Sequence, residues 1–511
     1  MRTIRPVILL CLLGCLVFFF ALGNHELQGS TESRVAGIAM EMHLNGDWIT
    51  PRLLGDAFLE KPPLSLWLDA TAIKLVGATQ LAVRLASAFA GLFTVLALYG
   101  FMRRIGRPTL LAWTAAALLM TMASYLGNAR QVGEDAILSL GVSLALFAFF
   151  HANEQRRRQA ATLGGWLVFA AGIAIATLTK GVLGLALPGI VIFFYLLSES
   201  LIDKRLSVGN WLRPALFTLV GLIPLLIWLK LLYGQGGSDA VREVLWANSV
   251  GRFSGSFTAA GHYEPFYYYF TKLPEAFLPW NLLVYLGLWH LRKELARKRH
   301  LLFASIWLLA QFTLLTLASS KRMVYMVSMA PAAAIIAAEY SVVLLDWLRR
   351  RSATSAFSRQ LVERRRPLAA TLLAVVVCGY LVTAWRAPLA DRNTSFKPVT
   401  DQIIALQTSG KQVALYQPDE RLASTVFYTQ RQQQVVQTPE QLDTFLRASS
   451  DNVAVVQNRR PEPGARRFTH DPGDRHHRWQ THLLLLHSLS LGFGHKKTAL
   501  QERRFFRAGT Y

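Results

Sequence analysis

Stretches of about 20 consecutive apolar residues, the length needed to cross a bilayer, recur along this chain until about residue 387. A segment in lipid has no water to satisfy its N–H and C=O groups, so such stretches must fold as helices. Composition agrees: 52% of the residues are hydrophobic and 17% charged, a balance that excludes a soluble globular chain. About eleven spans are expected, near 6–22, 82–102, 109–127, 136–152, 163–179, 182–198, 211–233, 276–291, 301–318, 323–346 and 368–386. Only Lys180-Gly181 separates the fifth from the sixth.

The formal net charge of +23 would suggest nucleic acid in another setting. Here the basic residues mark every second connection: Arg2 and Arg5, Arg103 to Arg107, Arg156 to Arg158, Lys204 and Arg205, Arg292 to Arg299, Arg349 to Arg366. The positive-inside bias puts these in the cytoplasm. An odd number of spans then leaves the C-terminal segment outside, and no nucleic-acid partner is expected. Leu12-Leu13-Gly14-Cys15 resembles a lipoprotein cleavage box, but Leu13 is bulky and the apolar run continues, so the first span is expected to stay. Cys11, Cys15 and Cys378 all fall within spans, so no disulfide framework is expected.

The chain divides into a membrane domain, 1–387, and a C-terminal segment, 388–511. In the latter, short strands at 412–416 and 452–457 and a helix at 439–448 predict a small α/β domain. His470, His476 and His477 lack metal-ligand spacing. No P-loop or dinucleotide fingerprint occurs, which argues against an ATP-driven transporter. Two outer connections are long, 23–81 and 234–275. The first predicts an amphipathic helix over 33–44, lying on the outer membrane surface, and a second over 64–76 opened by Pro62-Pro63.

Lys61, Arg130, Lys180, Lys321 and Arg322 fall in outer connections, from which the positive-inside bias normally removes Lys and Arg. Holding an anion such as a lipid phosphate is the plainest reason for them to be there. The surrounding strings are Gly46-Asp-Trp-Ile-Thr-Pro-Arg-Leu53, Phe58-Leu-Glu-Lys-Pro-Pro63, Ala82-Val-Arg-Leu85, Asn128-Ala-Arg-Gln-Val-Gly-Glu-Asp135, Thr179-Lys-Gly181, Leu278-Pro-Trp280 and Ser320-Lys-Arg-Met-Val-Tyr325. His262 and Glu264-Pro-Phe266 open an aromatic run that fits either a membrane interface or a sugar-stacking surface.

As a set, these strings other than Asn128–Asp135 resemble the lipid-linked-sugar glycosyltransferases of the GT-C class. They are most similar to the branch that transfers aminoarabinose from undecaprenyl phosphate to lipid A, with protein O-mannosyltransferases more distant. The resemblance covers the membrane domain and leaves the C-terminal domain unmatched. It implies an all-α polytopic domain of about eleven transmembrane helices with outer-face amphipathic helices, followed by the α/β periplasmic domain. It implies a monomeric, multi-pass inner-membrane enzyme with a cytoplasmic N-terminus. The donor is a polyprenyl-phosphate sugar and the acceptor lipid A, another glycan or a protein.

The resemblance also implies residue roles. Lys61, Arg130, Lys180, Lys321 and Arg322 form the cradle of the donor phosphate. Glu60 and His262 match a divalent-metal pair for Zn, Mn or Mg, although two ligands underfill such a site. Arg34 and Tyr325 complete the site. One position departs from the family: Thr31 stands where the favoured catalytic Asp is expected, followed by Glu32. Glu32 or Asp135 is then the candidate base. A phosphate-type acceptor, already ionised, needs none. Two other readings stay open: a non-catalytic polyprenyl-phosphate-binding relative, and an anionic-lipid transporter, which would place its charges at the bilayer midplane.

Overall fold

The computed structural model describes residues 4–157, 162–205, 207–254, 263–389, 391, 395–457, 483–487 and 506–507. His262, His470, His476 and His477 lie outside the described residues. Two compact units result. The first comprises Met1–His25, Asp47–Pro51 and Phe58–Ala390. The second comprises Glu26–Gly46, Arg52–Ala57 and Asp391–Tyr511. Two pieces of the first outer connection therefore group with the C-terminal residues.

Among the described residues of the first unit, seven helices are long and apolar enough to cross a membrane. They are Gln80–Arg104, Asp135–Arg157, Leu163–Asp203, Val208–Trp246, Arg299–Leu317, Met323–Arg351 and Arg365–Arg386. Thr109–Met120 and Ala123–Ala129, bent by 68°, make an eighth if taken as one span. The chain is a polytopic membrane protein. Two segments expected to span are shorter: Ile4–Phe19, whose last turn is a π-helix, and Asn281–Leu291.

Leu163–Asp203 is 41 residues long, about twice what a bilayer needs. Lys180 and Gly181 break it, with Gly181 at φ +53°, a conformation that favours glycine. The chain reverses there. A Cβ added to Gly184 would stand 2.0 Å from the Ala176 carbonyl, an approach that residues eight apart on one straight helix cannot make. The segment is thus a pair of helices, as the sequence pattern expects, and the reversal carries Lys180. Small residues also seat the first of the pair against Asp135–Arg157. A Cβ on Gly172 would meet Ala145 N at 2.4 Å, and one on Gly141 would meet Ala176 N at 2.6 Å. Such close backbone approach is how helices pack in lipid, where burying apolar surface gives little drive.

The second unit contains the α/β fold. Strands β1 (Arg52–Leu53) and β2 (Asp56–Ala57) form a hairpin whose turn residues, Leu54 and Gly55, both have positive φ. This is the type I′ pattern, costly at Leu54. Glu41 holds it by accepting Leu54 N at 2.6 Å and Gly55 N at 3.0 Å. Burial raises the Glu41 carboxyl above its usual range. The remaining strands are β3 (Gln412–Tyr416), β4 (Gln434–Val436), β5 (Asn452–Gln457), β6 (Leu483–His487) and β7 (Phe506–Arg507), in sheet order β4-β3-β5-β6-β7. β3 runs parallel to β4 and β5, and β5–β6–β7 is antiparallel. Helix Pro439–Ala448 opens with a capping box at Thr438 and Gln441.

Helix Gly29–Asn45 also belongs to this unit. It starts close to where the sequence places it, but residues Glu32 to Met42 are all buried, more than one apolar face would give. Its Gly37 abuts Ala423, where an added Cβ would lie 2.5 Å from the carbonyl oxygen. Packing within the second unit buries this helix.

Candidate functional site

A cavity of about 350 Å³ opens in the first unit, with two unlike ends. Val182, Leu183, Ala186, Leu314 and Leu315 give it an apolar wall. Glu60, Lys61, Lys180, Ser320 and Tyr325 give it a polar head. Lys61 precedes the stiff Pro62-Pro63 that starts helix Leu64–Val76. Lys180 sits at the helix reversal, and Tyr325 belongs to the 3₁₀ turn Met323–Met329.

Lys180 is 8% exposed. A buried ammonium needs counter-charge, and two carboxylates supply it: Asp135 Oδ1 at 2.8 Å and Glu134 Oε1 at 3.6 Å. Its Nζ also lies 4.7 Å from the centre of the Tyr325 ring, a cation–π contact. The same ammonium lines the cavity head, so it meets these carboxylates on one side and the cavity on the other. Asp135 opens helix Asp135–Arg157, where the helix dipole favours an anion. Lys61 Nζ pairs with the same Glu134 oxygen that Lys180 faces. One buried carboxylate thus holds two lysines at one end of the cavity.

Behind this group lies Asp69, 2% exposed, on helix Leu64–Val76. Its Oδ2 has no hydrogen-bond partner among the described residues. Burial, then repulsion from Glu134, raises its carboxyl well above the usual range, so it is neutral where an ordinary aspartate is ionised.

The structure brings Glu60, Lys61, Lys180, Asp135 and Tyr325 together, whereas Arg130 and Lys321 donate to backbone carbonyls elsewhere. Arg130 donates to the carbonyls of Val17 (2.9 Å), Phe18 (3.1 Å) and Phe20 (2.8 Å). It satisfies the orphan carbonyls where the first helix ends in its π-helical turn. Burial and neighbouring Arg84 lower its pKa to about 10, which leaves it charged at neutral pH. Lys321 donates to the carbonyls of Glu264 (3.1 Å) and Ala318, and burial lowers its pKa. Arg322 is fixed through its backbone, which exchanges hydrogen bonds with the Tyr269 hydroxyl. Neither Lys321 nor Arg322 lines the cavity.

Glu32 and Arg34 belong to the second unit. Glu32 accepts Gln28 N at 2.9 Å, closing the start of its own helix, and Arg34 pairs with Glu420 at 2.8 Å. Both have structural partners there. Two residues at the cavity head carried weak sequence signals. Glu134 stands beside Asp135 in a string already notable for its charges, and Asp69 is an acid inside an otherwise apolar helix.

No three His, Cys, Asp or Glu side chains converge among the described residues. Glu60 is the one carboxylate lining the cavity, beside two lysines, while Glu134 and Asp135 face those lysines. Among the described residues this donor set does not fit a divalent ion, and His262, the expected partner of Glu60, lies outside them.

Comparison with known proteins follows the same lines. The dolichyl-phosphate-mannose-protein mannosyltransferase family matches residues 21–233. The undecaprenyl phosphate-alpha-4-amino-4-deoxy-L-arabinose arabinosyl transferase of Pseudomonas aeruginosa is 30% identical over 313 residues, 61% of this chain and 55% of the relative. The match thus spans little more than half the length of that relative. The crystal structure of ArnT from Cupriavidus metallidurans bound to undecaprenyl phosphate superposes with a TM-score of 0.73 at 22% identity, covering 88% of this chain and 93% of ArnT. The chain shares the fold of that ArnT structure. A more distant GT-C structure, the archaeal oligosaccharyltransferase AglB from Archaeoglobus fulgidus with an inhibitory peptide and a dolichol-phosphate, gives a TM-score of 0.57 at 13% identity. It covers 89% of this chain and 69% of AglB. The shared fold reaches well beyond residues 21–233, because the ArnT superposition takes in most of the chain.

Proposed function

We propose that this protein is an inner-membrane glycosyltransferase that moves a sugar from a polyprenyl phosphate, such as undecaprenyl phosphate, to lipid A or another envelope acceptor at the periplasmic face. The observation that carries this reading is the two-ended cavity, apolar along one wall and headed by Lys61 and Lys180. An isoprenoid chain suits the wall and a phosphate suits the lysines. The named relative and the ArnT structure with undecaprenyl phosphate support the same donor. The charge pattern of the connections supports a cytoplasmic N-terminus and a periplasmic C-terminal domain.

In the proposed reaction an acceptor oxygen bonds to the anomeric carbon while the bond from that carbon to the phosphate oxygen breaks. The electron pair leaves with the phosphate, whose charge rises by one. Lys61 and Lys180, preorganised in a water-poor cavity, stabilise that developing charge. An acceptor hydroxyl releases its proton to Asp135, the carboxylate set beside the head through Lys180. A phosphate acceptor releases none. Thr31 removes the carboxylate the family places in its first outer loop, which favours the phosphate-type acceptor.

The test supplies membranes with lipid-linked sugar and follows mass-labelled lipid A and surface glycans with and without the protein. A Lys61→Ala variant expressed at normal level transfers nothing on this reading. Full transfer by that variant would overturn it. Donor binding without transfer by the unaltered protein would favour the non-catalytic relative.

A further inference from the structure

Glu134 is a charge that the proposed reaction does not use. It is 3% exposed, and one of its oxygens faces both lysines at the cavity head. Lys61 and Lys180 line the cavity and Glu134 does not. The lysines therefore lie between an internal anion behind them and the space an incoming phosphate would fill. We propose that Glu134 is an internal counter-charge that competes with the donor phosphate for Lys61 and Lys180, holding donor affinity down so that the more highly charged product phosphate can leave.

The charges facing Glu134 set the argument. Lys61 comes from the first outer connection, Lys180 from the helix reversal, Asp135 from the neighbouring helix start and Asp69 from helix Leu64–Val76. The two ammoniums meet Glu134 and Asp135 behind them, with Asp69 neutral and Glu60 on the cavity side, so the head has no unmatched positive charge before any donor arrives. Buried lysines without that balance would be costly. The same balance opposes a phosphate, because both ammoniums are already attracted to carboxylates. After transfer the leaving phosphate carries the extra charge and would be held still more tightly by unopposed lysines. Glu134 limits that hold. Asp135 partly duplicates the balance on Lys180, whereas Glu134 faces both lysines.

Substitution separates this role from simple positioning. Glu134→Gln keeps the shape and an acceptor oxygen for Lys61 and removes the charge. Glu134→Asp keeps the charge and shortens the arm. Asp69→Asn, added to Glu134→Gln, prevents Asp69 from ionising in place of the lost charge.

This inference rests on the reading of the cavity as a donor-phosphate site. The experiment measures binding and release of undecaprenyl phosphate by the purified full-length protein in detergent, alongside steady-state transfer. Glu134→Gln is expected to bind about tenfold tighter, in keeping with the coupling energies of close buried charge pairs. It is also expected to release more slowly and turn over more slowly, so KM and kcat fall together. The double variant is expected to bind at least as tightly. Equal or weaker binding by folded Glu134→Gln overturns the proposal and makes Glu134 a positioning group. If that variant does not fold, Glu134→Asp decides: near-normal affinity supports the counter-charge, and a tenfold loss overturns it. Failure of the unaltered protein to bind undecaprenyl phosphate would instead strike the donor-site reading itself.

Discussion

The first unit holds two pairs of buried or half-buried cations, and they do different things. Arg84 and Arg130 end on neutral carbonyls. Arg84 donates to Leu22 O at 3.1 Å and His25 O at 2.9 Å, and Arg130 takes the three carbonyls just before them. Together they tie down the exit of the first helix. Lys61 and Lys180 end on carboxylates and face a cavity. A guanidinium presents five fixed donors and suits a fan of carbonyls, whereas an ammonium is a compact charge that an incoming anion can share. The partner separates a structural cation from one that faces the cavity.

The largest effect that tests this contrast is on transfer. Lys61→Ala should lower transfer by about 10²–10³-fold, the scale of losing one preorganised charge partner of the reacting group. Its thermal unfolding should shift little, because Glu134 keeps Lys180. Arg84→Ala should do the reverse. Loss of charged hydrogen bonds to two buried carbonyls should destabilise the protein by about 3 kcal/mol, read as a lower midpoint in a detergent melt. The molecules that remain folded should still bind undecaprenyl phosphate. A folded Arg84→Ala protein that has lost donor binding would erase the distinction between the pairs.

A smaller effect concerns Gly184. Alanine there puts a methyl against the Ala176 carbonyl at the helix reversal. The cost should be about 1–3 kcal/mol, with donor binding weakened because Lys180 rides on that turn. The smallest effect concerns Asp69. Its folded-state pKa is raised, so between the ordinary aspartate range and that higher value the unfolded chain has lost a proton that the folded protein keeps. Stability therefore falls as pH rises through that window. Asp69→Asn should remove this slope and raise the melting midpoint at neutral pH. An unchanged pH slope would mean that Asp69 is already ionised beside Glu134.

Much of this was legible in the sequence. Strands 412–416 and 452–457 and helix 439–448 have the bounds the alternation and capping signals predict. The break at Lys180-Gly181 was visible as a lone cation and a glycine between two apolar runs. The assignment of Gly29–Asn45 to the second unit was not, because it depends on pairings such as Gln28 with Ser395, hundreds of residues apart. Arg130 and Lys321 read as phosphate ligands because a sequence shows a charge and not its partner. The carbonyls they satisfy belong to Val17, Phe18, Phe20, Glu264 and Ala318, residues that carry no signal of their own. Glu134 was overlooked for the opposite reason. Its neighbour Asp135 met the expectation of a single carboxylate, while the two-lysine contact arises only when three separate connections meet.

The central claim is that the donor phosphate is held by Lys61 and Lys180 and not by the wider set of outer cations. The most direct measurement compares undecaprenyl phosphate binding by the purified protein, Lys61→Ala, Lys180→Ala and Lys321→Ala, each checked for folding by thermal melt. Loss of binding in the first two substitutions, with affinity retained in Lys321→Ala, is the predicted result. Retained binding in folded Lys61→Ala and Lys180→Ala, or loss in Lys321→Ala alone, would contradict it.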